Sequence, residues 1–100
     1  MNARLLSFLG IARKACKISL GNDIVSESIK CGKSKLILIA ADISKRTKRN
    51  VDFLSHTYGI ELIELSFTMD EIQKYIGKRV GLISINDEGF AKKIKKLVIE

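Results

Sequence analysis

Six consecutive apolar residues, Leu36-Ile37-Leu38-Ile39-Ala40-Ala41, constrain this chain more than any other stretch. A strand with one face on a core and one in water alternates apolar and polar side chains. An unbroken apolar run of this length is instead the pattern of a strand covered on both faces. Covering both faces requires other elements above and below the sheet, which implies layers of helix and strand. The residues before the run fit that reading. Gly21 opens a helix-like segment from Asn22 to Lys30, Gly32 closes it, and Lys33 and Lys35 flank the turn into the strand. A helix mouth beside a buried strand, ringed by lysines, is a surface suited to a phosphate backbone.

The rest of the chain continues the alternation. Asn2 caps a first helix reaching about Ala15, with Leu5, Leu9, Ala12 and Cys16 at helical spacing. Ile18-Ser19-Leu20 is a short extended piece, and the helix after it is expected to turn Ile24, Val25 and Ile29 inward. Lys35 to Ala41 is the central strand. Ser44 caps a third helix with Val51, Leu54 and Tyr58 recurring, and Gly59 is its natural stop. Ile60 to Leu65 reads as a strand. Thr68-Met69-Asp70-Glu71 is a capping-box pattern that opens a short helix ending at Gly77. Val80 to Ile85 is a further strand. Asp87 caps a last helix with Phe90, Ile94, Leu97 and Val98 inward and Lys92, Lys93, Lys95 and Lys96 outward. Helices and strands alternating in this way predict an α/β fold with a sheet of about four strands between helices. Strand order does not follow from periodicity.

One hundred residues, 46% of them hydrophobic, suit one domain with a packed core. There is no proline and no serine- or glycine-rich linker. No apolar run approaches the ~20 residues needed to span a bilayer, and Arg4, Arg13 and Lys14 interrupt any secretory pattern. The expected location is the cytoplasm, with no membrane partner. Cys16 and Cys31 are the only cysteines and His56 the only histidine. A zinc site needs about four such ligands, so no metal is expected, and the cysteines read as reduced, half-buried thiols. Eighteen Lys and Arg against eleven Asp and Glu leave +7 and favour a polyanionic partner. Most of the positive blocks lie at turns or element ends.

Catalytic readings fail one by one. Gly32-Lys33-Ser34 lacks the earlier glycine of a phosphate-binding loop, since position 27 is Glu27, and it follows a helix rather than a strand. Asp87-Glu88 open a basic helix, where carboxylates complement the amide dipole. His56 reads as an exposed helix residue, and Ser7, Ser19 and Ser26 lack a nucleophile-elbow context. The block Lys45-Arg46-Thr47-Lys48-Arg49 begins a helix, where positive charge opposes the dipole. Such a cost points to use elsewhere.

Several segments in order resemble one family. They are Leu9-Gly10-Ile11-Ala12-Arg13-Lys14-Ala15, then Lys17-Ile18, Gly21, and Gly32-Lys33-Ser34-Lys35-Leu36 with Ala40 and Asp42. Thr47-Lys48-Arg49, Gly77-Lys78 and Asp87-Glu88-Gly89-Phe90-Ala91-Lys92-Lys93 complete the set. From about Leu5 to Leu97 the chain resembles the kink-turn-binding ribosomal proteins, the L-seven-Ae and L-thirty-e group, and within it the small bacterial YlxQ-type members. Cys16 stands where that group usually has glycine. The resemblance implies a three-layer α-β-α sandwich with a mixed sheet, no cofactor, no catalysis, and a structured RNA such as a kink-turn as partner of a monomer.

The RNA-contacting residues implied are Gly21, Asn22, Asp23, Glu27, Lys30, Lys33 and Lys35, together with Tyr75, Ile76, Gly77, Lys78 and Arg79 of a second loop. In this picture Gly21 permits close backbone approach, Lys30, Lys33 and Lys35 neutralise phosphates on one side, and the Tyr75 to Val80 loop offers apolar contact and charge to an extruded base. The archaeal members read sheared G·A pairs with an asparagine, a glutamate and a lysine after the glycine. Aligned without gaps, those places hold Asp23, Ile24 and Glu27 here. The mismatch motivates an alternative, a protein-interaction module on the same fold in which Ile24 is an exposed apolar anchor.

Overall fold

In the computed structural model, which describes residues 2–99, nine elements alternate: α1 (Ala3–Lys14), β1 (Ile18–Leu20), α2 (Asn22–Lys30), β2 (Leu36–Ile39), α3 (Lys45–Tyr58), β3 (Leu62–Glu64), α4 (Met69–Ile76), β4 (Leu82–Ile85) and α5 (Glu88–Ile99). The four strands form one mixed sheet in the order β1-β4-β2-β3. β4 runs antiparallel to both β1 and β2, and β3 runs parallel to β2. β1 has the expected bounds, whereas β2, β3 and β4 are shorter than the runs that announce them, because pairing, not hydrophobicity, decides where a ladder ends.

β2 is buried along its whole length, and its period of two divides it between two cores. Leu36 and Leu38 join Leu5, Leu9, Ile72, Ile94 and Leu97 from α1, α4 and α5. Ile37 and Ile39 join Val25, Ile29 and Val51 from α2 and α3. The unbroken apolar run is therefore a strand between two helical layers, as the α-β-α reading requires. β4 is divided likewise, with Ile83 and Ile85 on the first side and Leu82 on the second.

The remaining residue of β4, Ser84, is fully buried and anchors a polar chain under α2. The Ser84 hydroxyl donates to Asn86 Oδ1 at 2.7 Å, and Ser34 Oγ lies 2.7 Å from it on the other side. A hydroxyl has one proton, so Ser34 is the donor to Ser84. Asn86 Nδ2 donates to Ser19 Oγ at 2.8 Å, and Ser19 Oγ is 2.8 Å from Ser28 Oγ. The chain ties β1, β4, α2 and the α2–β2 turn together with every member partnered, which is what makes buried polar groups tolerable.

The same network explains a departure from the expected helix face. α2 buries Val25, Ser28 and Ile29, while Ile24 is 53% exposed. Adjacent helical positions differ by about 100°, and the inward place beside Val25 is taken by Ser28 reaching Ser19. Tyr58, which recurs with Val51 and Leu54 along α3, is also exposed. His56 is exposed, as expected.

Helix ends follow local chemistry. Asn2 accepts from the Arg4 amide, Ser44 from Thr47, and Thr68 and Glu71 form the complete capping box. Asp87 accepts from the Phe90 amide at 2.9 Å. Gly59 and Gly77 take left-handed conformations at the ends of α3 and α4. α2 ends with Gly32 left-handed, the Lys33 amide bonded to Ser28 and the Gly32 amide to Ile29. α1 ends in the identical pattern, with Lys17 bonded to Ala12 and Cys16 to Arg13, but the left-handed residue is Cys16 at φ 59°. This Schellman turn is a place for glycine. Cys16 therefore leaves the helix and does not extend its buried face. Both cysteines are exposed thiols, not half-buried ones, because each lies at or beside such a helix-terminating turn.

Candidate nucleic-acid interface

Antiparallel pairing of β4 with its neighbours decides which loops meet. The Gly21 amide donates to the Leu82 carbonyl at 3.1 Å, and the Ala40 amide donates to Gly81 at 2.9 Å. The start of α2, the exit from β2 and the entry to β4 thus share one edge of the sheet. Three segments converge on it.

The first is the start of α2. Gly21 has φ 94°, no side chain caps the helix, and the Gly21 carbonyl takes the Val25 amide at 2.9 Å. The uncapped amide end carries partial positive charge. Asp23 in the first turn offsets part of it. Asn22, Asp23 and Ser26 form one wall of a groove whose other wall is Thr47, Asn50 and Leu54 of α3.

The second segment is the start of α3. Ser44 Oγ accepts from the Thr47 amide at 3.1 Å and donates to Thr47 Oγ1 at 2.9 Å, which fixes the first turn. No acidic residue stands in that turn. Lys48 pairs with Glu64, and the hydrogen bond and charge of that carboxylate raise the lysine's pKa above its usual value. Lys45, Arg46 and Arg49 are exposed and pair with no carboxylate among the described residues.

The third is the loop from Gly77 to Gly81. At its beginning the Arg13 guanidinium donates to the Ile76 carbonyl. At its end a side chain on Gly81 would come within 2.6 Å of Ile43, so backbone and Ile43 can approach only because the residue is glycine. Between these anchors Arg79 Nε donates to Asp70 at 2.9 Å, and Lys78 is exposed. Tyr75 is exposed, but Ile76 and Val80 are buried with Leu9 and Ile72. The apolar contact expected of Ile76 is thus spent in the core, because the last turn of α4 must cover the sheet.

The structure does not gather all the residues singled out from the sequence. Gly21, Asn22 and Asp23 share an edge with the end of the Lys78–Arg79 loop. Lys33 and Lys35 lie at the other end: the Lys35 amide bonds to the Ile85 carbonyl at 2.7 Å, whereas Gly21 bonds at Leu82. Three strand residues separate those points by about 10 Å. Glu27 and Lys30 lie between, along a shallow outer groove of α2 with Asp23, Ser26 and Cys31. The Lys45–Arg49 block takes the place beside Gly21 that the Lys33–Lys35 turn was expected to hold. Its charge pattern was visible in the sequence, but its position depends on strand order.

Residues 3–95 match the model of the ribosomal protein L7Ae/L30e/S12e/Gadd45 family. The chain is 35% identical over 95 residues to the RNA-binding protein YlxQ of Enterococcus faecium, covering 95% of this chain and 91% of that one. It is 27% identical over 95 residues to the RNA-binding protein YlxQ of Bacillus subtilis, covering 90% of each. A solved structure of a protein with unknown function from Bacillus halodurans superposes with a TM-score of 0.91 at 26% identity, covering 99% of this chain and 100% of that one. The Giardia lamblia 15.5kD RNA binding protein shares the fold, with a TM-score of 0.76 at 15% identity over 98% of this chain and 88% of that one. With residues 3–95 matched, nearly the whole chain, the protein belongs to the ribosomal protein L7Ae/L30e/S12e/Gadd45 family.

Proposed function

We propose that this chain is a non-catalytic RNA-binding protein, acting as a monomer in the cytoplasm, that recognises a structured, kink-turn-like RNA of ribosomal or other non-coding origin. The observation that carries the reading is the convergence at one sheet edge of the uncapped start of α2, the end of the Lys78–Arg79 loop and the start of α3, whose first turn holds no acidic residue. Dipole, backbone amides and unpaired guanidinium and ammonium groups then face the same phosphates. The names of the two YlxQ relatives support RNA as the polyanion. Gly21 and Asn22 supply backbone and amide contacts, Lys78 and Arg79 a second point of attachment, and Tyr75 an aromatic face. Asp23 and Glu27 limit how closely phosphate lies along α2, and Lys30, Lys33 and Lys35 extend the positive field toward its far end.

The test is affinity for a kink-turn RNA and for a plain duplex, measured by fluorescence anisotropy over a salt series. Tighter binding to the kink-turn at every salt concentration supports the proposal. Equal, weak and steeply salt-dependent binding to both leaves only non-specific charge attraction. A second reading has one observation in its favour, the 53% exposure of Ile24 on the outer flank of α2. On that reading the same face docks on a protein, and partners captured from lysate survive nuclease treatment.

A further inference from the structure

Phe53 is 69% exposed and is the most exposed aromatic side chain among the described residues. Its surroundings distinguish it from a lone surface hydrophobe, which would need no explanation. Arg46, Asn50 and Phe53 follow one another at i, i+4 and i+7, so they form one stripe along α3. Val51 and Leu54 mark the helix's inward side, and Lys48, paired with Glu64, marks the flank toward β3. Asn50 is the stripe's member on the other flank, toward α2, where it lines the groove with Asn22, Asp23 and Ser26, and Arg46 and Phe53 stand next to it on the solvent side, outside the groove's lining. Arg49 is one step further out and carries no ion pair among the described residues.

We infer that this stripe and groove form a binding site for an unpaired nucleotide, with its base stacked on Phe53 and its phosphates on Arg46 and Arg49. The inference rests on the RNA reading above and adds to it a position and a ligand class. Three features select a nucleotide as the occupant. A flat aromatic face open to solvent offers stacking to any base. The carboxamides of Asn22 and Asn50 each carry donors and an acceptor for base edges. Arg46 and Arg49 carry no ion pair among the described residues, although Asp52 is close by, and two such guanidinium groups complement a phosphate and not an apolar peptide. Asp23 fixes the orientation: its carboxylate repels phosphate from the α2 wall, so the backbone of the ligand runs along the α3 side and the base points into the groove.

The chain contains no tryptophan, so Phe53→Trp makes residue 53 the sole tryptophan emitter. The probes are a short single-stranded oligoadenylate and a blunt RNA duplex of equal length. Emission from Phe53→Trp should be quenched as oligoadenylate binds and left unchanged by the duplex. By anisotropy, Phe53→Ala and Phe53→Leu should each weaken oligoadenylate binding about five- to tenfold, the lower part of the stacking range, because an exposed ring stacks on one side only. Phe53→Trp should retain binding. Arg46→Gln should weaken it about fourfold at 0.15 M salt, one single-strand phosphate contact. Full binding by Phe53→Leu would make the residue a plain apolar contact and overturn the stacking site. Bound oligoadenylate with unquenched emission would do the same. Kink-turn binding by the unsubstituted chain alongside either result overturns this inference and leaves the RNA reading standing; no binding to any RNA overturns both.

Discussion

Neutralising Lys45 and Arg49 together tests whether the proposed interface is local. Lys45→Gln with Arg49→Gln lowers the net charge from +7 to +5, and Lys33→Gln with Lys35→Gln lowers it by the same amount. The first pair stands at the edge shared with Gly21, the second at the edge marked by Ile85. Along α2 those edges are nine residues, or about 13 Å, apart. The screening length at 0.15 M salt is about 8 Å, so neither pair acts strongly at the other's position. Each phosphate contact contributes a slope of about 0.7 to 0.9 in log affinity against log salt. If a contact's worth vanishes near 1 M salt, its loss costs about four- to fivefold at 0.15 M, and loss of two costs roughly 15- to 30-fold. The salt slope should fall by about 1.4 to 1.8 at the same time. Unfolding does not supply an escape, because removing positive charge from the start of α3 relieves its conflict with the helix dipole and stabilises slightly. Anisotropy titrations of a labelled kink-turn RNA over a potassium chloride series read both quantities. Equal losses from the two double variants would refute the reasoning, since only a diffuse field treats the two edges alike.

Glu27→Lys should tighten kink-turn binding and steepen the salt slope by about one contact; an unchanged titration with the fold intact would place the outer face of α2 away from the RNA. Cys16→Gly should stabilise the fold by about 0.5–1 kcal/mol, since the ~1–2 kcal/mol left-handed penalty exceeds the entropy cost of glycine, and thermal unfolding should shift upward by a few degrees. An unmoved or lowered midpoint would show that φ 59° is not strained there. Ser84→Ala should cost about 1–3 kcal/mol in chemical denaturation, because the Ser34 hydroxyl and the Asn86 carbonyl each lose a partner in a buried site. A loss near zero would mean that water or a rotated side chain repairs the network.

Local chemistry settled much of this protein in the sequence. The Leu36–Ala41 run specified a strand with helices on both sides, because only burial on both faces tolerates six apolar residues in succession. Ser44, Thr68, Asp87, Gly32, Gly59 and Gly77 marked helix ends correctly, since capping depends on residues at most a few positions apart. The strain at Cys16 was legible only as a departure from the glycine of similar proteins. Helix faces are less local: Ile24 has the spacing of an inward residue, yet the inward place goes to Ser28, which bonds to Ser19, a partner nine residues away on another element. The grouping of the basic blocks was not legible at all. Lys33 and Lys35 are close to Gly21 in sequence yet occupy the opposite edge, while Lys45, Arg46 and Arg49 share its edge. Charge patterns are local properties of the chain, but which patterns meet depends on strand direction and order. Those were decided by the insertion of β4, antiparallel, between β1 and β2, a long-range pairing that no periodicity in the sequence encodes.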